Sequence, residues 1–320
     1  MRFSKVARSA LVLVLLCAAL SAYSADTKTA AMIISIPKGD PFLNLAYSGL
    51  EKLGKDKGIK TKIIEALDKS EYAEQIRSMA ELGTNPIYVV WDDLGAAALE
   101  VAPDFPNTKF IILDAYVITN LKNVKTVVVE PGEASFIAGF VAANTTKTNR
   151  VAFVGSMDMP VINKFKVGFE AGVHYGNPKV KVESVYIGNA NDPVKGQEIA
   201  KMVIGDGADV VMHAANKAGL GVIKGCEEKK VKAIGVDDWQ GDISPVVFWS
   251  ALKDIAGAVY KSGESVLDGT FQPGMTSFGV KSGIKLYDER DFNKLDKALQ
   301  AKVLQLVSDM KSGKVTVSGK

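Results

Sequence analysis

Apolar, β-branched runs alternate with segments of helical spacing along most of this chain. In one helical segment, from Tyr72 to Leu82, apolar residues recur at steps of four, three and three and so share one face. Strands that alternate with helices predict parallel sheets with helices on both faces. The predicted strands are Ala31–Ser35, Thr61–Ala66, Ile87–Val90, Phe110–Leu113, Val124–Val129, Val151–Val154, Val180–Tyr186, Val210–His213 and Ala233–Val236.

The stretch from Glu133 to Gly172 shows this alternation most clearly. A helical run, Ala134–Asn144, leads through a polar turn into the apolar strand Val151–Val154. A second helical pattern follows, and its phenylalanines and glycines are spaced for one face. The stretch predicts a helix, a strand and a helix of an α/β sheet, with the loop after the strand open for ligand binding.

Two similar halves of the chain meet near residues 130–133. Val246–Leu252 predicts a strand that leads back to the first lobe, and Gly279–Leu286 a further crossing before a final helix, Asp291–Lys311. Three crossings between two doubly wound parallel-sheet lobes describe a type I periplasmic binding fold, whose hinge lets the lobes close on a ligand. The predicted lobes are 25–130 plus about 250–282 and 131–249 plus about 283–320.

The first 24 residues have the pattern of a secretory signal. Three basic residues precede the apolar run Ala10–Leu20, and small residues end the segment at Ser24. Removal of this segment lowers the formal net charge from +3 to 0, so the mature protein has no basic surface charge for binding nucleic acid or anionic lipid. We expect a periplasmic protein.

The two cysteines have different expected roles. Cys17 lies in the apolar run of the signal, and Leu16 before it is a poor match to the small residue that precedes an acylated cysteine. This favours a freely soluble protein over a lipid anchor at Cys17. Cys226 is then alone in the mature chain, so we expect no intrachain disulfide and a buried thiol on a helix.

Polar and aromatic residues follow the predicted strands, where ligands bind in open α/β sheets. Carboxylates accept hydrogen bonds from hydroxyl or ring N–H groups, and aromatic faces stack on flat rings. Asp and Asn in these places also serve as helix N-caps, so each residue alone is a weak signal. Asp114 and Asp237 rank highest because each ends an apolar strand. The candidates from strand ends are Phe42, Asn44, Trp91, Asp114, Asp237 and Trp239.

Other kinds of site are not indicated by the sequence. His174 and His213 are far apart, with no Cys or Glu at metal-ligand spacing. Gly219-Leu220-Gly221 lacks the full glycine pattern of a dinucleotide site, and there is no Ser/His/Asp order or nucleophile elbow. We therefore expect no metal, no cofactor and no enzymatic activity. A nucleoside-cleaving hydrolase would need clustered carboxylates, and the sequence scatters them over both halves.

Several phrases of the sequence resemble the basic membrane protein family of substrate-binding proteins, whose members include purine nucleoside receptor A-like lipoproteins. The resemblance covers roughly residues 30 to 290 and rests on the order and spacing of its phrases. Besides the stretch from Glu133 to Gly172, the phrases are PFLNLAYSG, FPNTKFIILD, DPVKGQEIA, GADVV, KAGLGVIKG, AIGVDDWQ and WSALK. The resemblance implies a type I binding protein that delivers nucleosides to an ABC importer.

The resemblance also implies roles for four residues. Phe42 resembles the first of two phenylalanines that sandwich the base, and Asp114 resembles the acid that pairs with base nitrogens. Asp237 and Lys253 resemble polar residues near the sugar.

Three departures from the family pattern concern the ligand. Leu43 replaces an asparagine, with Asn44 one place later; Ile36-Pro37 replaces an acid; and Ala190 stands where the second stacking phenylalanine is expected. Trp91 or Trp239 is a candidate for the missing aromatic face.

These observations together predict an exported solute receptor. It is expected to close two lobes over a purine nucleoside or purine base and to present the closed form, as a monomer, to an ABC permease in the inner membrane. Alternatives are a receptor for another small heterocycle or a sugar, a sensor domain for a membrane kinase, and the hydrolase.

Overall fold

The structure is a computed structural model that describes residues 28–317. The predicted signal and Cys17 lie outside the described residues. Among residues 28–317 no helix is long and apolar enough to cross a membrane.

Strands and helices alternate as the hydrophobic pattern predicts. Short 3-10 turns lie at Lys69–Glu71, Ala102–Asp104 and Val280–Ser282. The strands are β1 (Thr29–Ile34), β2 (Lys60–Glu65), β3 (Ile87–Val90), β4 (Phe110–Leu113), β5 (Val124–Val129), β6 (Arg150–Gly155), β7 (Lys181–Tyr186), β8 (Val210–Ala214), β9 (Lys232–Asp237), β10 (Val247–Leu252) and β11 (Gly274–Phe278). The helices are α1 (Pro41–Lys57), α2 (Tyr72–Glu81), α3 (Trp91–Val101), α4 (Pro131–Thr145), α5 (Pro160–Gly176), α6 (Pro193–Gly205), α7 (Asn216–Lys229), α8 (Ile255–Leu267), α9 (Glu289–Phe292) and α10 (Lys297–Ser312).

The strands form two sheets, and every strand pair within them is parallel. The first sheet has the order β11-β5-β4-β3-β1-β2, and the second has the order β10-β9-β8-β6-β7. Buried aliphatic side chains line both faces of the central strands β3, β4 and β8. The predicted class, two doubly wound parallel-sheet lobes of a type I periplasmic binding fold, is confirmed.

The chain passes between the sheets after β5, after β10 and after β11. Strand β10 pairs with β9 as far as Leu252, so residues 250–252 lie in the second sheet, although the sequence placed them in the first lobe. All three passages lie near the carboxyl ends of strands, the edge where a ligand is expected.

Two features of the C-terminal region differ from the sequence prediction. Strand β11 was not predicted, because this edge strand alternates exposed and half-buried residues and has no apolar run. The final helix does not begin at Asp291. Instead, the Asp296 side chain accepts a hydrogen bond from the N–H of Leu299 at 2.9 Å and starts α10 at Lys297, while Asp291 lies in the short α9.

Helices α4 and α5 pack against each other with almost no side chain between their backbones. An ideal Cβ on Gly172 would lie 1.9 Å from the Phe136 carbonyl oxygen, and one on Gly139 would lie 2.1 Å from that of Phe169. Gly172, which the sequence places on one face of α5, and Gly139 of α4, which it did not single out, therefore allow this close approach. The helix, strand and helix predicted for this stretch are all present.

Candidate ligand-binding site

Three of the predicted site residues lie at the carboxyl ends of strands and have an unusual backbone conformation. Trp91 follows β3, Asp114 follows β4 and Asp237 is the last residue of β9, with φ angles of 68°, 53° and 68°. Residues other than glycine seldom adopt this left-handed region, which costs about 1–3 kcal/mol each and is found most often at functional sites. The turn directs the chain sharply away from the strand at the carboxyl edge of each sheet.

A charged pair connects the first sheet with the second crossing. The Nζ atom of Lys253 lies 2.7 Å from Oδ1 of Asp114, and Lys253 is only 4% exposed. The backbone N–H of Lys253 donates to the carbonyl of Asp237 at 3.0 Å. Burial raises the pKa of Asp237, and the nearby negative charge of Asp114 raises it further, while Lys253 lowers it. One ammonium group thus lies close to two carboxylates.

An aromatic surface lies beside this charged group. The ring centroids of Phe42 and Trp91 are 5.7 Å apart, and their planes are inclined by 29°. The Nζ atom of Lys253 is 5.3 Å from the Phe42 centroid, within the range of a cation–π contact. Asp40 positions Phe42 because its side chain caps α1 by accepting a hydrogen bond from the N–H of Leu43.

The structure therefore brings together five of the seven predicted site residues. They are Phe42, Trp91, Asp114, Asp237 and Lys253. The separation of the Phe42 and Trp91 rings is that of one stacked pair, which leaves no room for a third ring between them. The two rings therefore offer a ligand a single wall on one side.

Asn44 and Trp239 have other surroundings. Asn44 is exposed on α1. The indole N–H of Trp239 donates to Oδ1 of Asp291 at 3.0 Å, and the Arg290 guanidinium lies 3.5 Å from the Trp239 ring centroid. These contacts hold Trp239 against α9. Ala190 is half-buried, and its carbonyl accepts a hydrogen bond from the N–H of Ala218.

One contact between the lobes was not predicted. Lys164 of α5 lies 2.9 Å from Oε2 of Glu130, and it also hydrogen bonds to the hydroxyl of Tyr116. Burial lowers the pKa of Lys164, but its hydrogen bonds to Tyr116 and Glu130 outweigh that effect, so the pKa is raised. No motif marks Lys164, because a lysine on an amphipathic helix is typical of any solvated face.

A cavity of about 190 Å³ lies beside this contact, next to the hinge. Glu130, Lys164, Gly279 and the chain after α10 contribute to its lining, and none of the predicted site residues does. This cavity is therefore distinct from the candidate site.

Two further sequence predictions concern metals and the thiol. Within residues 28–317, no group of three or more His, Cys, Asp and Glu side chains is placed to hold a metal ion. Cys226 is buried on α7, and burial raises its pKa to about 12, so the thiol stays protonated.

Comparisons with known proteins agree with the fold. A family model described as "ABC transporter substrate-binding protein PnrA-like" matches residues 27–319. The ABC transporter nucleoside-binding protein BmpA of Lactococcus lactis subsp. cremoris is 29% identical over an alignment of 303 positions that covers 87% of this chain and 85% of that protein. Basic membrane protein A2 of Borrelia garinii subsp. bavariensis is 28% identical over an alignment of 253 positions that covers 76% of this chain and 74% of that protein.

Solved structures show the same architecture. An ABC transporter solute-binding protein from Conexibacter woesei aligns with a TM-score of 0.75 and 24% identity, covering 91% of this chain and 98% of that one. An ABC transporter solute-binding protein from Aeropyrum pernix aligns with a TM-score of 0.73 and 21% identity, covering 90% of this chain and 92% of that one. At these identities the structures bear on the fold alone.

Proposed function

Because the chain belongs to the Bmp family of PnrA-like ABC transporter substrate-binding proteins, we propose that it is an exported receptor for a purine nucleoside or a free purine base. The ligand binds between the two lobes, and the closed form is presented to a permease in the inner membrane. The receptor acts in the periplasm as a monomer and catalyses no reaction.

The observation that carries this proposal is the meeting of an aromatic wall with a charged group. The stacked rings of Phe42 and Trp91 form an apolar surface, the Lys253 ammonium lies over the Phe42 ring, and Asp114 pairs with Lys253. A purine has a flat face for stacking and an edge of N–H donors and nitrogen acceptors. Carboxylates accept from the donors and an ammonium donates to the acceptors, so this set complements a purine better than it complements an apolar ligand.

The geometry favours binding over catalysis. Oδ1 of Asp114 accepts a hydrogen bond from the buried ammonium of Lys253 at 2.7 Å, which fixes the position of the carboxylate. The second carboxylate oxygen accepts a hydrogen bond from a ligand held beside it. The residue is thus suited to recognition.

The aromatic wall supports contact with one face of the ligand. Trp91 stacks on Phe42 instead of opposing it, and Ala190 places no ring on the second lobe. The ligand's other face would then meet aliphatic and polar groups of the second lobe. This arrangement suits a ligand whose affinity comes from its polar edge as well as from stacking.

Identification of the bound ligand tests the proposal. The mature chain would be purified without denaturation, and any ligand released from it would be identified by mass spectrometry. A thermal-shift panel of purine nucleosides, purine bases, pyrimidine nucleosides and sugars would follow. We expect a purine compound in the released fraction and a rise in Tm with purine compounds.

Variants locate the site. Phe42→Ala and Asp114→Ala should abolish most of the ligand-dependent Tm rise, whereas Phe271→Ala, which removes a ring next to the amino end of β11, should retain it. A full shift in both site variants would overturn the site, and a shift with sugars alone would overturn the ligand.

A further inference from the structure

His213 is a buried imidazole that the candidate site does not use directly. It is the next-to-last residue of β8 and only 1% exposed. Its Nε2 atom lies 2.9 Å from Oε1 of Gln240, three residues beyond Asp237. Burial of the imidazole against the half-buried Gln240 costs desolvation free energy and therefore calls for a physical reason.

The hydrogen bonds define the chemical state of this pair. The backbone N–H of Val236 also points to Oε1 of Gln240, at 3.4 Å. Because this atom accepts a hydrogen bond from the Val236 N–H, it is the oxygen of the Gln240 amide and not the nitrogen. His213 must therefore donate to it through Nε2–H. The other ring nitrogen, Nδ1, is buried and has no hydrogen-bond partner within residues 28–317.

Two glycines make room for the pair. An ideal Cβ on Gly219 of α7 would lie 2.3 Å from Nδ1 of His213, and one on Gly235 of β9 would lie 2.4 Å from Oε1 of Gln240. A side chain at either position would displace the imidazole or the amide. The backbone on both sides is thus shaped around these two side chains.

The pair anchors the loop that follows β9. Besides the side-chain contact, the backbone N–H of Gln240 donates to the hydroxyl of buried Ser250 at 3.2 Å. At the start of the loop, the Asp237 carbonyl accepts from Lys253, and Asp237 has a φ of 68°. The first part of the loop is therefore held at two points, at Asp237, the strained last residue of β9, and at Gln240, three residues later.

We propose that His213 is a positioning residue for Asp237, acting through the side chain of Gln240. This inference rests on the proposed function in so far as Asp237 contacts the ligand. The imidazole donor keeps the amide turned inward, which keeps the loop against the second sheet and the Asp237 carboxylate beside Lys253 before a ligand arrives. A site organised in advance binds more tightly, because less order has to be imposed on binding.

The first test replaces the acceptor of this hydrogen bond. Gln240→Leu keeps the size of the side chain but accepts nothing from His213, whereas Gln240→Glu keeps an acceptor oxygen in the same place. Isothermal titration calorimetry with the purine compound that binds the wild type should give a Kd about tenfold higher for Gln240→Leu and within about threefold of wild type for Gln240→Glu.

A matched control separates positioning from general destabilisation. Ile223→Val removes one methylene from the core of the same lobe, at a buried residue of α7, and leaves the loop intact. All titrations would be made well below the lowest Tm. Equal weakening in Gln240→Leu and Ile223→Val would overturn the proposal, as would a wild-type Kd in Gln240→Leu.

A double-mutant cycle tests whether His213 and Gln240 act together. His213→Leu should weaken binding as much as Gln240→Leu, and the double variant should be no weaker than either, because both remove one contact. Additive losses would contradict a shared role.

A readout without ligand keeps this inference separate from the proposed function. In a Trp91→Phe background, the emitting residues are Trp239 in the loop and buried Trp249. Gln240→Leu should make Trp239 more accessible to acrylamide quenching, and Gln240→Glu should not. Unchanged quenching in Gln240→Leu overturns the positioning role, whether or not a purine binds. Increased quenching in a protein that binds no purine supports the positioning role and contradicts only the proposed ligand.

Discussion

At the scale of single residues, Trp91, Asp114 and Asp237 share a left-handed backbone at the carboxyl ends of three strands. Strain of this kind persists only where the surrounding structure enforces it. Here the stacked ring of Phe42 and the buried ammonium of Lys253 adjoin the strained residues. Function is therefore expected where aromatic, charged and strained residues coincide.

The aromatic wall leads to a prediction about affinity. Phe42→Ala should weaken binding of the purine ligand by about 1–3 kcal/mol, or about 5- to 150-fold in Kd, because it removes a stacking surface. Calorimetric titration measures this loss. Phe271→Ala serves as the control, and equal affinity of Phe42→Ala and wild type would show that the ring makes no contact with the ligand.

Burial of His213 leads to a prediction about pH. Desolvation lowers the pKa of His213 to about 4 in the folded protein. Between pH about 6.5 and about 4 the imidazole is therefore neutral in the folded protein, whereas the unfolded chain binds a proton at this residue. Stability should therefore fall as the pH drops from about 6.5 to about 4, by about 3 kcal/mol from this group. The difference in urea-unfolding free energy between wild type and His213→Leu, followed over that range, isolates the effect.

The exposed residue His174 provides the comparison for this measurement. His174→Gln should keep the pH dependence of the wild type. If His213→Leu keeps it too, another group is responsible for the acid sensitivity.

At the scale of elements, the sequence was most informative where strands are buried on both faces. Strands β3, β4 and β5 are buried throughout, although β5 contains Lys125 and Thr126, and the predicted bounds of all three agree with the structure. The edge strand β11 has no apolar run, and Asp296 shortens the last helix by capping it. Local pattern predicts elements whose burial is uniform, while an edge strand depends on its tertiary neighbours. The cap is a local contact between Asp296 and Leu299, which helical periodicity alone does not reveal.

The same distinction applies to the candidate site. Asp114 and Asp237 could be predicted because each directly ends an apolar strand, and Lys253 was indicated by family resemblance. The side-chain direction of Trp239 depends on Asp291, 52 residues away, so no local signal could reveal it. Lys164 was missed because its partners lie on other elements.

Close packing of α4 and α5 leads to a prediction about stability. Gly172→Ala should lower the unfolding free energy by about 1–3 kcal/mol or more, because the new methyl group would collide with the Phe136 carbonyl, which cannot move independently of its helix. Gly205→Ala, at the end of α6, has nothing within 4 Å of the new Cβ and should be neutral or stabilising by up to about 1 kcal/mol. Denaturant unfolding compares the two, and equal effects would contradict the packing account.

At the scale of the whole molecule, three crossings allow two rigid lobes to move as a hinge. The contact of Lys164 with Tyr116 and Glu130 links α5 to the chain segments that leave β4 and β5. Tyr116 lies two residues after Asp114, so this contact connects lobe closure with the loop that carries a candidate ligand residue.

This contact should favour the closed state. Lys164→Met should raise the ligand Kd several-fold, for a loss of about 1 kcal/mol, and shift small-angle X-ray scattering of the ligand-free protein towards a larger radius of gyration. Lys166→Met is the matched control, because Lys166 lies on the same helix but contacts Tyr186 of its own lobe. Identical scattering and Kd for the two variants would show that the contact does not influence closure.

The central claim, a purine receptor formed by two closing lobes, is tested most directly by calorimetric titration of the ligand-free mature protein. The protein would be unfolded and refolded to remove bound ligand and then titrated with purine nucleosides, purine bases, pyrimidine nucleosides and sugars. We predict saturable binding of at least one purine compound with a stoichiometry of one per chain, and no binding of sugars. Stoichiometric binding of a sugar or another solute, with no heat from any purine, would contradict it.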